Sequence, residues 1–388
     1  MKIRIILLAM LMLSALQQAW AQTQTAISTN IFTLRGRLTN THRDSVLIYY
    51  ENNEGKSLFQ SRPISSDRFI VTDSLTRPVS AIILFKDQGE TLTDSAFDAR
   101  SREFYIEPGR LYLSGDPSRP DSLKLIGSKS QDEYVMLTKS TAATRAEMKP
   151  ITDRYNKEKD PERAAQIGMQ FAPYDDRVKA ITYQFFLNHP GSYVTAHEMI
   201  SYVSLLGLDS SKYVYSSFPE EIKQSPDGQR LAAAIQKLDA VQPGNVAPDF
   251  MVKDISGNAV SLTECRGNYI LLDFWASWNR NSRQSNAHVQ EVYNKYRSKG
   301  LIVIGVADND SSPQAWKNAI AKDKLGEWVN ILSGAGTDND INDKYAVHFV
   351  PTKLLIDPSG KIIGRFGDTN NTHADVLLDR QLAAIFKQ

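Results

Sequence analysis

The spacing of apolar residues changes twice along this 388-residue chain, and those changes limit the folds open to it. Short apolar runs separated by turn residues extend from residue 31 to about 125. Helical periodicity follows to about residue 241, and from residue 244 buried strands alternate with helices. A chain of this length accommodates two or three domains. We therefore predict a β-rich domain at residues 22–129, a helical region at 130–243 and a mixed α/β domain at 244–388.

The first region has the composition of short strands. Its apolar runs are rich in β-branched and aromatic residues and fall at 31–34, 46–50, 69–71, 79–85, 104–106 and 111–113. Turn sequences such as Asn52-Asn53-Glu54-Gly55 and Pro108-Gly109 separate them. This pattern predicts a small antiparallel sandwich or barrel. Because the region lacks a cluster of His, Cys or paired carboxylates, we expect it to bind or space rather than to catalyse.

The second region has helical start and stop signals. Asp160-Pro161-Glu162 is a good helix start, and Asn188-His189-Pro190-Gly191 ends the helical pattern. Pro173 lies between them and is expected to kink or split the helix. One predicted apolar face is formed by Ile167, Phe171, Tyr174, Val178, Ile181 and Phe185. A face of this kind indicates packing.

The first residues have the pattern of an export signal. Lys2 and Arg4 precede an almost unbroken apolar run at 5–16, and Ala19 and Ala21 stand at −3 and −1 of a cleavage point. The run is shorter than the roughly 20 residues that a membrane span needs. We predict cleavage after Ala21, a mature chain without a transmembrane segment, and a periplasmic or cell-envelope location.

Charge and cysteine content exclude several classes of function. The 45 Lys and Arg balance 44 Asp and Glu, which argues against a nucleic-acid-binding protein. Cys265 is the single cysteine, so an intramolecular disulfide and a four-thiolate metal site are both excluded. The six histidines lack the spacing of metal ligands. We expect neither a cofactor nor a bound metal.

The third region predicts a mixed sheet with helices on both faces. An apolar strand at 269–275 contains one acid, Asp273, and is followed by a helix at 279–298. A second strand and helix follow at 301–307 and 313–322. The turn Asp357-Pro358-Ser359-Gly360 then joins two further strands before a closing helix.

Several segments of this region resemble exported thiol–disulfide oxidoreductases of the thioredoxin-like fold, the TlpA/ResA-like branch of the AhpC/TSA type. The segments are Val246-Ala247-Pro248-Asp249-Phe250, Leu272-Asp273-Phe274-Trp275-Ala276-Ser277-Trp278, Val350-Pro351-Thr352 and Leu355-Ile356-Asp357-Pro358-Ser359-Gly360. The resemblance implies a cis-proline at Pro351. Upstream, Glu107-Pro108-Gly109, Gly127-Ser128 and residues 188–193 resemble a β-rich domain of unknown function and its helical linker in envelope proteins.

The chain departs from that family at its reactive centre. The family has Cys-x-x-Cys at a helix N-terminus, where the first thiolate attacks disulfides and the second resolves the intermediate. The matching residues here are Asn279-Arg280-Asn281-Ser282. Amide and hydroxyl groups do not cycle electrons, so we predict that this motif cannot exchange disulfides.

The replacing residues suggest other roles. Asn279 and Ser282 are good helix caps, and Arg280 and Arg283 would favour a bound anion beside the helix start. Asp273 corresponds to a buried acid of the family that exchanges protons with the cysteines. Without cysteines, we favour a hydrogen-bonded remnant that holds the strand near the helix start over a proton relay.

The resemblance also implies a groove that binds an extended peptide by strand addition. Its predicted lining is Trp275, Trp278, Asn279, Arg280, Asn281, Ser282, Val350, Pro351 and Thr352, with His348 within reach. The first hypothesis is therefore a redox-inactive module that binds a peptide or envelope protein. The second is a single-thiol oxidoreductase or an isomerase that uses Cys265, which otherwise fills core space. The third is a structural envelope scaffold, with a homodimer compatible with the sequence.

Overall fold

The structure is a computed structural model, and it describes residues 30–387 except positions 88, 92, 159–160, 309–312, 335–339 and 368–373. The predicted export signal at 1–21 lies outside the described residues, as do Asp160 and His373. The chain forms two compact units, which meet in sequence at Met136 and Leu137.

The first unit is built mainly from β-strands. The strands are β1 (Ile31–Leu38), β2 (Ser45–Glu51), β3 (Ser57–Pro63), β4 (Arg68–Ser74), β5 (Val79–Lys86), β6 (Arg102–Ile106), β7 (Gly109–Gly115) and β8 (Lys124–Ile126). A short helix, α1 (Asp94–Arg100), precedes β6. All six predicted apolar runs are strands. The sequence reading missed β3 and β8, since neither has a long apolar run.

These strands form two four-stranded sheets, in the orders β4-β1-β7-β8 and β3-β2-β5-β6. Their inner faces share one hydrophobic core, so the unit is a sandwich. The prediction of a wholly antiparallel sandwich is wrong at one place, because β1 and β7 pair in parallel. The chain between these two strands forms β2–β6, and so long a connection allows β7 to return in the direction of β1.

The second unit begins with a helical segment, and the boundary between the units lies inside the first helix of that segment. The helices are α2 (Lys129–Lys157), α3 (Pro161–Gly168), α4 (Ala172–Asn188), α5 (Tyr193–Leu206), α6 (Leu208–Ser216), α7 (Glu220–Lys223) and α8 (Pro226–Ala240). The predicted split is confirmed: a 3₁₀ turn separates α3 from α4, and Pro173 lies in the first turn of α4. The predicted end at Asn188 is also confirmed. The domain boundaries at 129 and 243 stay predictions.

The remainder of the second unit alternates strands and helices. Its elements are β9 (Met251–Lys253), β10 (Ala259–Ser261), β11 (Tyr269–Trp275), α9 (Arg280–Tyr296), β12 (Leu301–Ala307), α10 (Pro313–Asp323), β13 (Val329–Leu332), α11 (Ile341–Lys344), β14 (Thr352–Ile356), β15 (Ile362–Phe366) and α12 (Ala374–Ile385). Among the helices that the structure describes, none has the length and apolar character that crossing a bilayer requires.

The central sheet has the order β13-β12-β11-β14-β15, with parallel pairing on one side of β11 and antiparallel pairing on the other. One sheet face packs with α9, α10 and α12 in a continuous core. This is the predicted thioredoxin-like mixed sheet. It places the N-terminus of α9 just beyond the carboxyl end of β11, where a site is expected in such sheets.

Candidate functional site

Asn279 caps the N-terminus of α9. Its side-chain Oδ1 accepts a hydrogen bond from the backbone N–H of Ser282 at 2.9 Å, which satisfies one of the free amides of the first turn. The expected capping role of Asn279 is therefore confirmed. Ser282 does not cap: its side chain is fully buried, and its Oγ lacks a hydrogen-bond partner among the described atoms. The reason is position, because Ser282 lies inside the first turn and points towards the core.

The expected anion-binding role of the arginines is not supported at Arg283. Its guanidinium binds both carboxylate oxygens of Asp323 on α10, and the pair is largely buried. This bidentate pairing connects α9 to α10. It also neutralises the positive charge of Arg283, which the sequence predicted would bind an anion. The side chain of Arg280 lies outside the described residues.

A pocket of about 440 Å³ opens beside the N-terminus of α9. Its lining residues are Trp278, Asn279, Asp308, Asp340, Asn342, Asp343, Val347, His348, Phe349 and Val350. Trp278, which lines the pocket, is 64% exposed. The Val350–Pro351 peptide bond is cis, and Val350 also lines the pocket. The structure thus brings together four residues singled out in the sequence: Trp278, Asn279, His348 and Val350.

Other residues of the predicted groove lie elsewhere. Trp275 is 1% exposed and packs in the core of the sheet, and Thr352 is completely buried. Both are strand residues whose side chains point into the interior, so neither lines the groove as predicted. Pro351 is half-buried and Asn281 is exposed, but neither lines the pocket.

Three carboxylates of the pocket were missed in the sequence. Asp308 follows the carboxyl end of β12, and Asp340 and Asp343 lie at the start of α11. The Asn342 amide donates a hydrogen bond to Asp308 at 2.9 Å, and Lys237 pairs with Asp343 at 2.6 Å. The available signal was an acid directly after a parallel strand, because such strand ends converge at one edge of the sheet.

Behind the helix start lies a buried ion pair. Asp273 on β11 and Lys353 on β14 are cross-strand neighbours, with Lys353 Nζ 3.8 Å from Asp273 Oδ1, and both side chains are almost completely buried. Burial raises the pKa of Asp273, and the charge of Lys353 opposes that rise. The acid is therefore held by the charge of Lys353, which the sequence did not identify, and the expected hydrogen bond is not confirmed, because Asp273 Oδ1 has no hydrogen-bond partner among the described residues.

Lys353 connects this pair to two helices. Its ammonium donates a hydrogen bond to Ser285 on α9 and lies 3.3 Å from Asp375 on α12. His288 of α9 lies 3.5 Å from the same Asp375 carboxylate. Burial acts to raise the pKa of Asp375, but its contacts with His288 and Lys353 outweigh burial and lower it to about 2. These contacts favour the positioning role over a proton relay.

Cys265 lies away from the pocket lining, at the end of a 3₁₀ turn before β11. Its side chain is half-buried. Burial raises the pKa of its thiol, and the negative charges of Glu264 and Asp249 add to that rise. A raised pKa leaves less of the reactive thiolate at neutral pH.

The pocket therefore offers carboxylate, amide, imidazole and aromatic groups, and its lining contains no thiol. Within the described parts of the chain, no group of three or more His, Cys, Asp or Glu residues is arranged to hold a metal ion. Such a set of groups has the chemistry to contact a polar or cationic segment beside an aromatic side chain.

Comparison with known proteins agrees with this fold. The AhpC/TSA family matches residues 243–365, and a domain of unknown function, DUF4369, matches residues 32–134. Thiol-disulfide oxidoreductase ResA of Bacillus thuringiensis subsp. konkukian is 32% identical over 127 residues, which are 33% of this chain and 70% of that protein. ResA of Bacillus subtilis is 26% identical over 125 residues, 32% of this chain and 67% of that protein.

A solved structure also resembles the C-terminal part. It is the thioredoxin domain of a thiol-disulfide oxidoreductase from Bacteroides vulgatus, with 30% sequence identity and a TM-score of 0.32, covering 36% of this chain and 96% of that one. The resemblance inferred from the sequence is confirmed by the family matches. The chain belongs to the AhpC/TSA family through a C-terminal domain related to the thiol-disulfide oxidoreductase ResA, with a DUF4369 domain preceding it.

Proposed function

We propose that this chain is a redox-inactive binding protein of the cell envelope, which holds an extended peptide or protein segment beside Trp278 and the Val350–Pro351 bond. One observation carries the proposal: at the family's reactive position an open pocket is lined by Asn279, with Ser282 buried behind it, where the resemblance implies two cysteines. The groove can therefore bind a chain segment but cannot exchange electrons with it.

The surface beside the pocket suits an extended segment. The exposed Trp278 ring offers a large apolar contact at one rim, and the backbone around Val350 can pair with an added strand. Asp308 and Asp340 give the pocket a negative character, while the charge of Asp343 is balanced by Lys237. A segment with a basic or neutral side chain at this point is therefore favoured over an acidic one.

A binding experiment tests the groove. Reduced and carbamidomethylated ribonuclease A serves as the probe, because it is unfolded, extended, free of thiols and basic. Trp278→Ala should weaken its binding by about tenfold or more, as truncation of a central aromatic contact does. Phe59→Ala is the matched control, since Phe59 is equally exposed on the first unit. Equal binding by the two variants and the parent would contradict a groove at Trp278 and favour the scaffold hypothesis.

A redox experiment tests the missing sulfur atoms. The parent should not reduce insulin disulfides, whereas Asn279→Cys combined with Ser282→Cys should, because the pair restores both thiols at the helix N-terminus. Asn279→Cys alone is the control and should not turn over, since it lacks a resolving thiol. Catalytic reduction by the parent would overturn the proposed inactivity.

The Cys265 alternative has its own measurement. A maleimide probe should react with the folded chain much more slowly than with the unfolded chain, since the thiol is half-buried and its pKa is raised. Fast labelling of the folded protein at neutral pH would favour the single-thiol enzyme instead.

The proposed location rests on the export pattern at the N-terminus. Sequencing the protein isolated from the envelope of cells should give a first residue of Gln22. A chain that retains Met1 would contradict export by cleavage after Ala21.

A further inference from the structure

The outer face of one sheet in the first unit carries an unusual set of side chains. Strands β4, β1, β7 and β8 bury alternate residues in the sandwich core and point the others outwards. The outward positions include five cations and no acid. The cations are Arg35, Arg37, Arg68, Arg110 and Lys124. We call this surface the basic sheet face.

The five cations have no ion pair and no side-chain hydrogen bond with another described residue. Other arginines of the same unit are paired, since Arg43 binds Asp87 and Arg100 binds Glu90. Among the described cations of the first unit, the shortage of partners is thus particular to this face. In a chain with nearly equal numbers of acids and bases, it amounts to local segregation of positive charge.

The strand register arranges these residues in rows. Arg37 lies directly opposite Arg68, an arrangement of like charges that disfavours strand pairing. In the next row, Arg35 lies between Ile70 and Tyr112, and Tyr112 is in turn opposite Ile126. A cationic row therefore borders a largely apolar one.

The apolar row is open to solvent. Ile70 is 57% exposed and Ile126 is 61% exposed, with Tyr112 between them at 44%. Exposed apolar groups with cations around them are typical of an interaction surface. A second copy of this face is disfavoured as its occupant, because a symmetric dimer would bring together two surfaces that each carry five cations and no acid.

We propose that the basic sheet face docks on an anionic membrane surface. Cations beside a negatively charged bilayer and apolar side chains at the level of the headgroups are the two contributions that hold proteins at such an interface. The face combines both, and Tyr112 is a residue type that favours the headgroup region. A broad sheet face suits a bilayer, which requires no concave site. The mature chain would then be held at the membrane without a span.

Vesicle co-sedimentation with the full chain tests the proposal. The parent should bind vesicles of equal parts phosphatidylcholine and phosphatidylglycerol, and should not bind vesicles of phosphatidylcholine alone. Added salt should weaken binding. Combined Arg35→Glu, Arg37→Glu and Arg68→Glu should lower the partition coefficient by about a hundredfold, since each base contributes roughly a fivefold factor. Failure of the parent to bind anionic vesicles would overturn the proposal.

Lys139→Glu, Lys253→Glu and Lys322→Glu together provide the matched control. These three lysines are exposed in the second unit, so the variant has the same net charge but keeps the basic sheet face. It should bind anionic vesicles like the parent. Equal loss by both triple variants would mean that net charge alone is sensed, which overturns a docking face.

A final double variant distinguishes binding to a bilayer from binding to an acidic protein or another soluble polyanion. Ile70→Ser with Ile126→Ser removes apolar contacts and leaves every charge in place. It should weaken vesicle binding at least about tenfold while binding to poly-glutamate stays as it was. Unchanged vesicle binding would contradict apolar insertion and indicate a soluble acidic partner instead. Circular dichroism confirms the fold of each variant.

Discussion

The two units place their charges in opposite ways. The core that the two sheets of the β-sandwich share is formed by hydrophobic side chains, and the buried carboxylate of this unit, Asp116, lies outside that core, directly after β7. The basic sheet face leaves five cations without acidic partners among the described residues. The thioredoxin-like domain buries Asp273 and Lys353 inside its sheet, and its surface pocket is lined by carboxylates. One unit is thus apolar within and positive on one face, and the other is charged within and negative at its pocket.

This difference distinguishes buried charges, which position elements of the fold, from exposed charges, which can bind a partner. A buried ion pair contributes little net stability, because desolvation offsets the attraction, but losing one partner leaves the other uncompensated. Unpaired surface charge costs little in water and stays available to a partner. The pair at Asp273 and Lys353 therefore points to a positioning role, and the basic sheet face to recognition.

The largest expected effect is at the buried pair. Lys353→Met leaves Asp273 buried without its cation, so the free energy of unfolding should fall by about 3–5 kcal/mol. Adding Asp273→Leu should recover most of that loss, because the hydrophobic pair needs no compensation. Urea denaturation of the four members of this double-mutant cycle measures the coupling. An additive cycle would mean that the two charges do not depend on each other.

The sandwich core should respond differently. Leu34 is completely buried between Val71 of β4 and Leu111 of β7. Leu34→Ala should lower the free energy of unfolding by about 2–5 kcal/mol through lost burial and a cavity. That loss should be the same at pH 5 and pH 8, since the ionisable side chain in this core, Tyr50, has a pKa that burial raises above its ordinary value of 10.0 and therefore stays protonated at both pH values. A strong dependence of the loss on pH would remove the distinction between the two cores.

The sequence predicted the sandwich, the split helix and the mixed sheet because apolar periodicity and proline report local structure directly. It also identified Asp273, since an acid stands out in an apolar strand. Lys353 escaped notice because a lysine next to a proline loop reads as surface, and only the register of β11 and β14 shows it to be buried. The basic sheet face was not predicted for the same reason, since its rows are formed by residues from strands that are distant in sequence.

The stability of the second unit should fall towards both acid and alkaline pH. Contact with Asp375 raises the pKa of His288 above its ordinary value of 6.5. Its contribution is therefore full below pH 6.5 and is lost as the pH rises through the folded-state pKa. The pKa of Asp375 is lowered from 3.8 to about 2, so its contribution is present above pH 3.8 and is lost as the pH falls towards 2. Asp273, with its raised pKa, acts in the opposite sense in acid.

Thermal unfolding of the parent and of His288→Gln across pH measures this dependence. The variant should lose the alkaline decline and should have a smaller acid decline, because Asp375 keeps Lys353 but loses His288. Leu34→Ala is the matched comparison and should keep the parent's profile with a lower midpoint throughout. An unchanged alkaline decline in His288→Gln would show that another group is responsible.

The smallest expected effect tests the cost of the basic sheet face. Arg68→Thr removes one member of the like-charged pair with Arg37 and adds a β-branched residue to a strand, so it should raise the free energy of unfolding by about 0.2–1 kcal/mol. The same substitution should weaken binding to anionic vesicles, whereas Arg68→Lys should leave both quantities near those of the parent. Higher stability together with weaker vesicle binding would mean that Arg68 lowers the stability of the sandwich and contributes to membrane binding. A loss of stability in Arg68→Thr would show instead that Arg68 supports the fold, and the contrast between the two units would then rest on their cores alone.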